Sequence, residues 1–306
     1  MRDPIVSIVI PTRSRPDQLR DCLRGIASLQ HDHSELEVIV VNDGGHLPLE
    51  PIVAGFRDQL ALRVLKLNGE GPAVARNAGS AAARGRLLAF IDDDCVPGPE
   101  WLSALRNEHE AHPEQLLGGQ VVNALPDNPY STASQLIASY VSEYYRKGIS
   151  REMFFTTNNL ALGAARFREL GGFDTSIPSR TAEDKEFCDR WRARGYPMTA
   201  VPGAIVYHAH RLTLTRFLVQ HYNYGRGILA FRLLRRRRDA NALIPEPLSF
   251  YGNLILSPAR DPVLRHRWRY VLLLIASQMA TVAGALKASL FERHRTGRNG
   301  PPRPNA

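Results

Sequence analysis

Four short apolar runs alternate with helix-like segments in the first 92 residues of the chain. The runs cover residues 5–11, 36–43, 62–67 and 86–92, and they are rich in Val, Ile and Leu. Strands that are apolar along their whole length are typical of a parallel sheet with helices on both faces. Ligands of such sheets lie beyond the carboxyl ends of the strands, so the pattern predicts an α/β fold with its site at that edge.

Acidic residues follow two of these predicted strands. Asp43 ends the second run, and Asp92, Asp93 and Asp94 end the fourth, in the stretch LLAFIDDDCVPG. Neighbouring carboxylates at the end of a buried strand repel one another and lose hydration. A solvated acidic turn fits this pattern, and so does a divalent-cation site held by carboxylate oxygens.

Three further segments carry candidate functional groups, and each also has a purely structural interpretation. In GEGPAVARNAG the helix N-terminus near Arg76 suits a diphosphate, although a simple loop and Ala-rich helix would look the same. Glu183 and Asp184 open a predicted helix, where the helix dipole alone favours carboxylates. His208 and His210 follow a short predicted strand, as metal ligands or as surface histidines.

Composition and cysteine usage exclude several classes of protein. The chain has 306 residues, of which 44% are hydrophobic and 23% charged, as expected for a globular protein with a substantial core. Its three cysteines show no CxxC spacing, which argues against a disulfide framework or zinc site and fits a reducing compartment. The N-terminal apolar run is too short for a signal peptide.

Positive charge is concentrated in the last third of the chain. Residues 211–306 hold 17 Lys and Arg against 4 Asp and Glu, whereas residues 1–210 hold 22 against 26. Such a basic segment favours an anionic membrane surface or nucleic acid as a partner. No nucleic-acid-binding signature is present, so we expect no nucleic acid and a basic amphipathic helical region over 211–295. Its uncharged stretch 270–286 barely reaches spanning length, and residues 296–306 are expected to be disordered.

Six stretches in this order resemble the family 2 glycosyltransferases of GT-A fold. They are SIVIPTRSRPDQLRDCLRGI, EVIVVNDGG, GPAVARNAGSAAARG, LLAFIDDDCVPGPEWL, NNLALGAARFRELGGFD and AEDKEFCDRWRARGYP, and the resemblance covers about residues 4–235. It implies a Rossmann-like, mixed but mostly parallel sheet flanked by helices. Residues 1–210 would be the catalytic domain, with a nucleotide-binding half (1–97) and an acceptor-binding half (98–210).

The resemblance also implies roles for the residues on the donor side. Contacts to the nucleotide sugar would come from Pro11, Thr12, Arg13, Asp43, Arg76, Asp92 and Asp93. Asp94 and His208 would bind Mg²⁺ or Mn²⁺, with His210 as the competing histidine. The chain departs from the family pattern at Asn42, where an Asp is common, and at Arg13-Ser14-Arg15, where Tyr-Asn-Arg is common.

On the acceptor side, Asp184 matches the catalytic base of the family. The acceptor wall would include Asn158, Asn159, Gly172 and Glu183. We therefore expect an inverting enzyme that moves a sugar from UDP or dTDP to a hydroxyl of a glycan, lipid-linked saccharide or envelope polymer, at the inner face of the cell membrane in the cytoplasm. A sugar nucleotidyltransferase is an alternative, but it would need a Gly-rich loop with a lysine after the first strand. A non-catalytic nucleotide-sugar or membrane-binding scaffold is a third.

Overall fold

The structure is a computed structural model that describes residues 4–146, 153–177, 181–238 and 246–298. The strands are β1 (Val6–Thr12), β2 (Leu36–Asp43), β3 (Ala61–Leu67), β4 (Leu87–Phe90), β5 (Cys95–Pro97), β6 (Leu116–Asn123), β7 (Leu160–Gly163) and β8 (Met198–His208). The helices are α1 (Pro16–Ala27), α2 (Glu50–Ala54), α3 (Pro72–Ala82), α4 (Trp101–Ala111), α5 (Pro129–Arg146), α6 (Ala164–Glu169), α7 (Glu183–Ala193), α8 (Leu214–Arg238), α9 (Leu248–Arg260) and α10 (Arg267–Arg298). Short 3₁₀ turns at His33–Glu35 and Thr157–Asn159 precede β2 and β7.

The described strands form one mixed sheet in the order β3-β2-β1-β4-β7-β6-β8-β5. Strands β1 to β4 are parallel to one another. Beyond β4 the sheet changes direction, because β7 pairs antiparallel with both β4 and β6, and β5 pairs antiparallel with β8. The predicted α/β fold with a mixed sheet is therefore confirmed.

Both faces of the sheet are covered at β1 and β2, which explains why these two strands are apolar along most of their length. Ile8 in β1 points to the face where Leu19 and Leu23 of α1 pack. Val9 points to the opposite face and belongs to a second cluster with Ala75 of α3. Alternate side chains of one strand thus enter two different cores, so both faces need apolar side chains.

Several elements differ from the sequence-based expectation. The sequence predicts a helix over about 49–60, but α2 ends at Ala54, and turns with short-range hydrogen bonds continue to Leu60. The stretch FFTTNNLAL predicts a strand from residue 154, but β7 begins only at Leu160. The stretch AIVYHAH predicts a strand from residue 204, but β8 begins at Met198. β5 is not predicted, because a three-residue strand next to Pro and Gly has no periodicity to detect.

The C-terminal helices build a core of their own. Its fully or nearly buried members come from α5, the segment before α8, α8, α9 and α10, and they are Ala133, Leu212, Phe217, Phe250, Leu254, Tyr270 and Leu274. α5 was expected to belong to the acceptor-binding half, and it packs on this C-terminal helical layer. Most of the expected disordered tail, residues 299–306, lies outside the described residues, whereas 296–298 end α10.

Helices α8 and α10 touch through their backbones. A Cβ atom at Gly225 would overlap the carbonyl oxygen of Thr281, and one at Gly284 would overlap the carbonyl oxygen of Tyr222. Only glycine permits so close an approach at these two positions. The two helices therefore form a fixed pair.

The stretch LLRRRRD at the end of α8 predicts a basic surface that faces lipid, but two of its arginines contact the catalytic domain. Arg235 Nε lies 3.3 Å from Asp189 Oδ1 of α7, and Arg238 Nη2 lies 3.0 Å from Glu186 Oε1. These arginines face the catalytic domain because buried carboxylates on α7 need counter-charges. The ion pairs bind the helical layer to α7.

Candidate active site

The three consecutive aspartates after β4 have three different environments. Asp92 accepts a hydrogen bond from Arg76 Nη2 at 2.6 Å. Asp93 accepts one from the Thr12 hydroxyl at 2.7 Å and one from Arg15 Nη1 at 3.1 Å. Burial outweighs the nearby arginine and raises the pKa of Asp93 to about 6. Asp93 is the most deeply enclosed of the three.

The short strand β5 brings Asp94 to a histidine from the other half of the domain. Cys95 pairs with His208 across the β5–β8 ladder, and the Ala209 amide donates to the Asp94 carbonyl at 2.8 Å. As a result His208 Nε2 lies 3.3 Å from Asp94 Oδ1. The His210 ring stacks on His208, with centroids 4.9 Å apart, so the competing histidine lies one layer further out.

The contact between Asp94 and His208 shifts the pKa values of the groups around it. Burial alone would raise the pKa of Asp94, but the hydrogen bond and charge of His208, together with Arg15, hold the pKa well below its usual range. Burial would likewise lower the pKa of His208, and the bond to Asp94 outweighs it and raises the pKa. Burial and the neighbouring His208 lower the pKa of His210 to about 4.

A potential cation-binding group is present at the same place. One oxygen of Asp94, Sγ of Cys95 and one ring nitrogen of His208 all lie within 4.8 Å of one another. Carboxylate and imidazole are donors that suit Mg²⁺ and Mn²⁺, and the buried thiol is the softer member of the set. Water or phosphate oxygens would supply further ligands to a hard divalent cation held here.

Asp43 holds the loop that leads into α3. Its two carboxylate oxygens accept the backbone N–H groups of Glu70 at 2.6 Å and Gly71 at 2.8 Å. Gly71 has φ of 108°, a conformation that favours glycine. The predicted contact of Asp43 with a nucleobase stays a prediction, and the carboxylate has a structural role in any case.

Arg76 joins the two halves of the catalytic domain. This buried side chain donates to Asp92 through Nη2 and to Glu183 Oε1 through Nη1, the latter at 2.8 Å. Burial and the adjacent Asp184 raise the pKa of Glu183 to about 7 despite this bond. Burial also raises the pKa of Asp184, which accepts the Lys185 amide at 2.8 Å. The arrangement is a buried cation among three carboxylates at the start of α7.

The model of glycosyl transferase family 2 matches residues 7–169, slightly more than half of the chain. The chain belongs to this family. Among curated proteins, glycosyltransferase AglE of Haloferax volcanii is 26% identical over 236 residues, which are 76% of each chain. Pre-mycofactocin glycosyltransferase of Mycobacterium tuberculosis is 29% identical over 258 residues, 82% of this chain. This transferase spans about half the length of that relative and of the Streptomyces validoxylamine A glucosyltransferases that it also matches.

Solved structures show the same GT-A fold. The mannosyltransferase PcManGT of Pyrobaculum calidifontis, in complex with GDP-Man and Mn²⁺, aligns over 98% of this chain and 81% of its own, with a TM-score of 0.60 and 18% identity. S. aureus TarS 1-349, in complex with UDP-GlcNAc, aligns over 95% and 92%, with a TM-score of 0.52 and 16% identity. Both structures contain a bound nucleotide sugar.

Two residues predicted for the acceptor wall of this glycosyl transferase take part in packing contacts, and their acceptor role stays a prediction. Asn159 is buried, accepts a hydrogen bond from Trp101 Nε1 and donates to the backbone carbonyls of Gln120 and Ala204, so it holds three parts of the fold together. Gly172 is buried at φ of 71°.

The remaining predicted residues keep positions compatible with a binding role. Asn158 is half-buried and accepts the Thr156 hydroxyl. Arg13 is exposed, with its guanidinium beside Gly69, and half-buried Pro11 lies at the end of β1. Their donor and acceptor roles stay predictions.

Sequence reasoning missed two residues near the site. Arg15 Nη1 bridges Asp93 and Asp94, and the three neighbouring acids were the available signal. Tyr224 of α8 was missed because it lies outside the catalytic motifs. Thr181, just before α7, donates to the Asn223 carbonyl at 3.2 Å, which places the start of α7 against α8. Desolvation of its hydroxyl and the charge of Asp184 raise the pKa of Tyr224 well above its usual range, although 41% of the residue is exposed.

Proposed function

We propose that the protein is a divalent-cation-dependent, inverting glycosyltransferase that moves a sugar from a nucleoside diphosphate to a hydroxyl acceptor. One observation carries the proposal. Asp94 and His208 form a candidate cation site two residues along the chain from Asp92, and Arg76 joins Asp92 to Glu183, the neighbour of Asp184. Such a network offers a place for a diphosphate at one end and for a proton acceptor at the other.

Asp94 and His208 would hold Mg²⁺ or Mn²⁺, and the donor set fits either ion. When bound, the cation supplies positive charge that stabilises a departing diphosphate. Arg15 and Arg76 would add charge-assisted hydrogen bonds to the same anion. The Mn²⁺ and GDP-Man in the structurally similar PcManGT are in keeping with this assignment.

Asp184 would act as the general base. Inversion requires a carboxylate that removes the acceptor proton while the hydroxyl attacks from the face opposite the diphosphate. A raised pKa makes Asp184 a better proton acceptor than an exposed aspartate, and the buried Arg76 stabilises the ionised form. Glu183 would position Arg76 against Asp92.

We further propose UDP- or dTDP-sugars as donors. The acceptor would be a glycan, a lipid-linked saccharide or an envelope polymer, reached at the cytoplasmic face of the membrane. The support for membrane association is the basic C-terminal layer, whose residues 211–306 carry a net charge of +13. The relatives that bind UDP-GlcNAc and GDP-Man show that more than one nucleotide base occurs on this fold.

A thermal-shift screen of nucleotide sugars with Mn²⁺ tests the proposal. A preferred donor should raise the melting temperature through mass action, and the rise should need the cation. Release of the nucleoside diphosphate on adding acceptor then distinguishes a transferase from a non-catalytic scaffold. Stabilisation by donor without any release, over a broad set of hydroxyl acceptors and water, would favour the scaffold.

A further inference from the structure

Helix α10 carries an apolar stripe on the side that faces away from the protein. Its members recur at alternating steps of four and three residues, and they are exposed by 38% to 71%. At 3.6 residues per turn they fall within about 80° of the helix circumference and extend about 27 Å. The outer stripe, as we call it, consists of Trp268, Leu272, Ile275, Met279, Val282 and Leu286.

The packing of the protein does not explain the outer stripe. The opposite side of α10 contributes Tyr270 and Leu274 to the helical core, and Gly284 touches the backbone of α8. The inner face of α10 is thus apolar and packs on other helices. Its outer face is also apolar, but no part of the described chain packs on it. Single exposed apolar residues are ordinary, but a continuous stripe of this length marks an interaction surface.

Crossing a bilayer is incompatible with these contacts. Within the described residues, α10 over 267–290 is long and apolar enough to span, by length and composition. However, its middle touches Gly225, which is followed directly by Arg226 of α8. A spanning α10 would place that arginine near the bilayer centre, which is costly, or would break the α8–α10 contact. The ion pairs of α8 with α7 would draw the catalytic domain in as well.

Pairing with a second copy of the chain is disfavoured by charge. The sequence contains no Asp or Glu from residue 262 to residue 291. Arg265, Arg267 and Arg269 lie at one end of the outer stripe and Lys287 at the other, and all four are exposed. Parallel and antiparallel self-pairing would both bring cations opposite cations, without the flanking acids that stabilise coiled coils.

We propose that α10 lies in the plane of an anionic bilayer surface, with the outer stripe inserted at the boundary of headgroups and acyl chains. The flanking cations would contact lipid phosphates, and Trp268 would sit at the level where aromatic side chains are favoured. Only the biological purpose of this membrane contact rests on the proposed function: it would hold the active site beside a membrane-bound acceptor. It does not depend on which sugar is transferred.

Trp268 gives a direct measurement of binding. The other two tryptophans, Trp101 and Trp191, are fully buried, whereas Trp268 is 71% exposed. Vesicles of phosphatidylcholine with about 30% phosphatidylglycerol should shift the emission of the full-length protein to the blue, and pure phosphatidylcholine should do so much less. The shift should be absent from Trp268→Phe. Equal responses to the two vesicle types would overturn the assignment to anionic lipid.

Variants of the outer stripe test which surface inserts. Leu272→Gln and Met279→Gln should each weaken vesicle partitioning about tenfold, because each removes a side chain that lipid would bury. Val219→Gln is the matched control on α8, since Val219 is also exposed but lies outside the outer stripe. Unchanged partitioning of both stripe variants, with normal thermal melting, would refute the proposal. So would a concentration-dependent dimer in vesicle-free solution that the same two substitutions abolish.

Insertion depth separates an in-plane helix from a spanning one. Met279→Trp in the Trp268→Phe background places a fluorophore at the middle of the outer stripe. An in-plane helix predicts stronger quenching by lipids brominated near the ester end of the acyl chain than by lipids brominated near the methyl end. Stronger quenching at the methyl end would refute the proposal. Metal-dependent hydrolysis of the donor by the Leu272→Gln variant should equal that of the wild type. This measurement distinguishes a loss of membrane binding from an error in the proposed enzymatic function.

Discussion

Replacing Glu183 by Gln removes a carboxyl group whose proton is bound more tightly in the folded protein than in the unfolded chain. Its pKa rises from 4.5 to about 7 on folding, a difference that corresponds to about 3 kcal/mol. Between these two pH values the folded state holds a proton that the unfolded state has released, so the free energy of unfolding falls as pH rises. Below pH 4.5 the penalty is absent, and above 7 it is complete.

The Glu183→Gln variant should therefore lose this part of the pH dependence. Urea unfolding at about pH 4.5 and about pH 8 gives the change in the free energy of unfolding for each protein. Between the lower and the higher pH, the wild type should lose about 3 kcal/mol more of this free energy than the variant. Asp93, whose pKa is also raised, contributes equally to both proteins and cancels. Parallel pH profiles of the two proteins would refute the idea that Glu183 carries a penalty for ionising inside the fold.

Other substitutions test separate parts of the structure. Asp184→Asn should leave donor binding within about twofold and slow transfer by roughly 10²–10⁴, measured by isothermal titration and by release of nucleoside diphosphate; transfer at the normal rate would place the base elsewhere. Asp94→Asn should weaken Mn²⁺ binding by at least about tenfold, read by electron paramagnetic resonance without any turnover, and unaltered affinity would contradict the metal assignment. Gly284→Ala should lower stability by about 1–3 kcal/mol because the new methyl group meets the Tyr222 carbonyl, whereas Gly252→Ala, a helical glycine with open space around it, should raise stability by up to about 1 kcal/mol in the same thermal melts.

The sequence predicted most of the nucleotide-binding half because that half is built from regular signals. Apolar runs separated by amphipathic helices led directly to β1 through β4, and the parallel sheet followed from their composition. The aspartates at the strand ends were placed at one edge for the same reason. Periodicity and topology rules suffice where each element is long and each connection is standard.

The acceptor-binding half was harder because its key elements are short or irregular. β5 has three residues and includes Pro97, so nothing in the sequence announces that it pairs with β8. Asn159 and Gly172 looked like surface groups since Asn and Gly are common in turns, and their burial depends on tertiary contacts. The family resemblance supplied Asp94 and His208 as partners, whereas local patterning alone left both as candidates with structural alternatives.

The ion-pair partners of Arg76 and Arg235 could not be predicted from the sequence either. A sequence marks both as cations, but it does not say which carboxylate each one meets. Arg76 lies among acids from two halves of the domain, and Arg235 turns from the expected lipid surface toward Asp189. Long-range pairing of this kind is set by how layers dock, and it follows only once the fold is known.

The irregularity in β8 beside Asn159 limits which changes of sequence the site can tolerate. Between Val201 and Ile205 the ladder with β6 skips three residues, and Asn159 donates to Ala204 and Gln120 at that irregularity. Side chains on a strand alternate in direction, so the parity of this insertion decides on which side of the sheet His208 emerges. Deleting one residue there would leave a strand in place, yet it would turn the His208 side chain away from Asp94. Inherited changes should therefore accumulate in loops around the site, while the number of residues between Val201 and His208 stays constant.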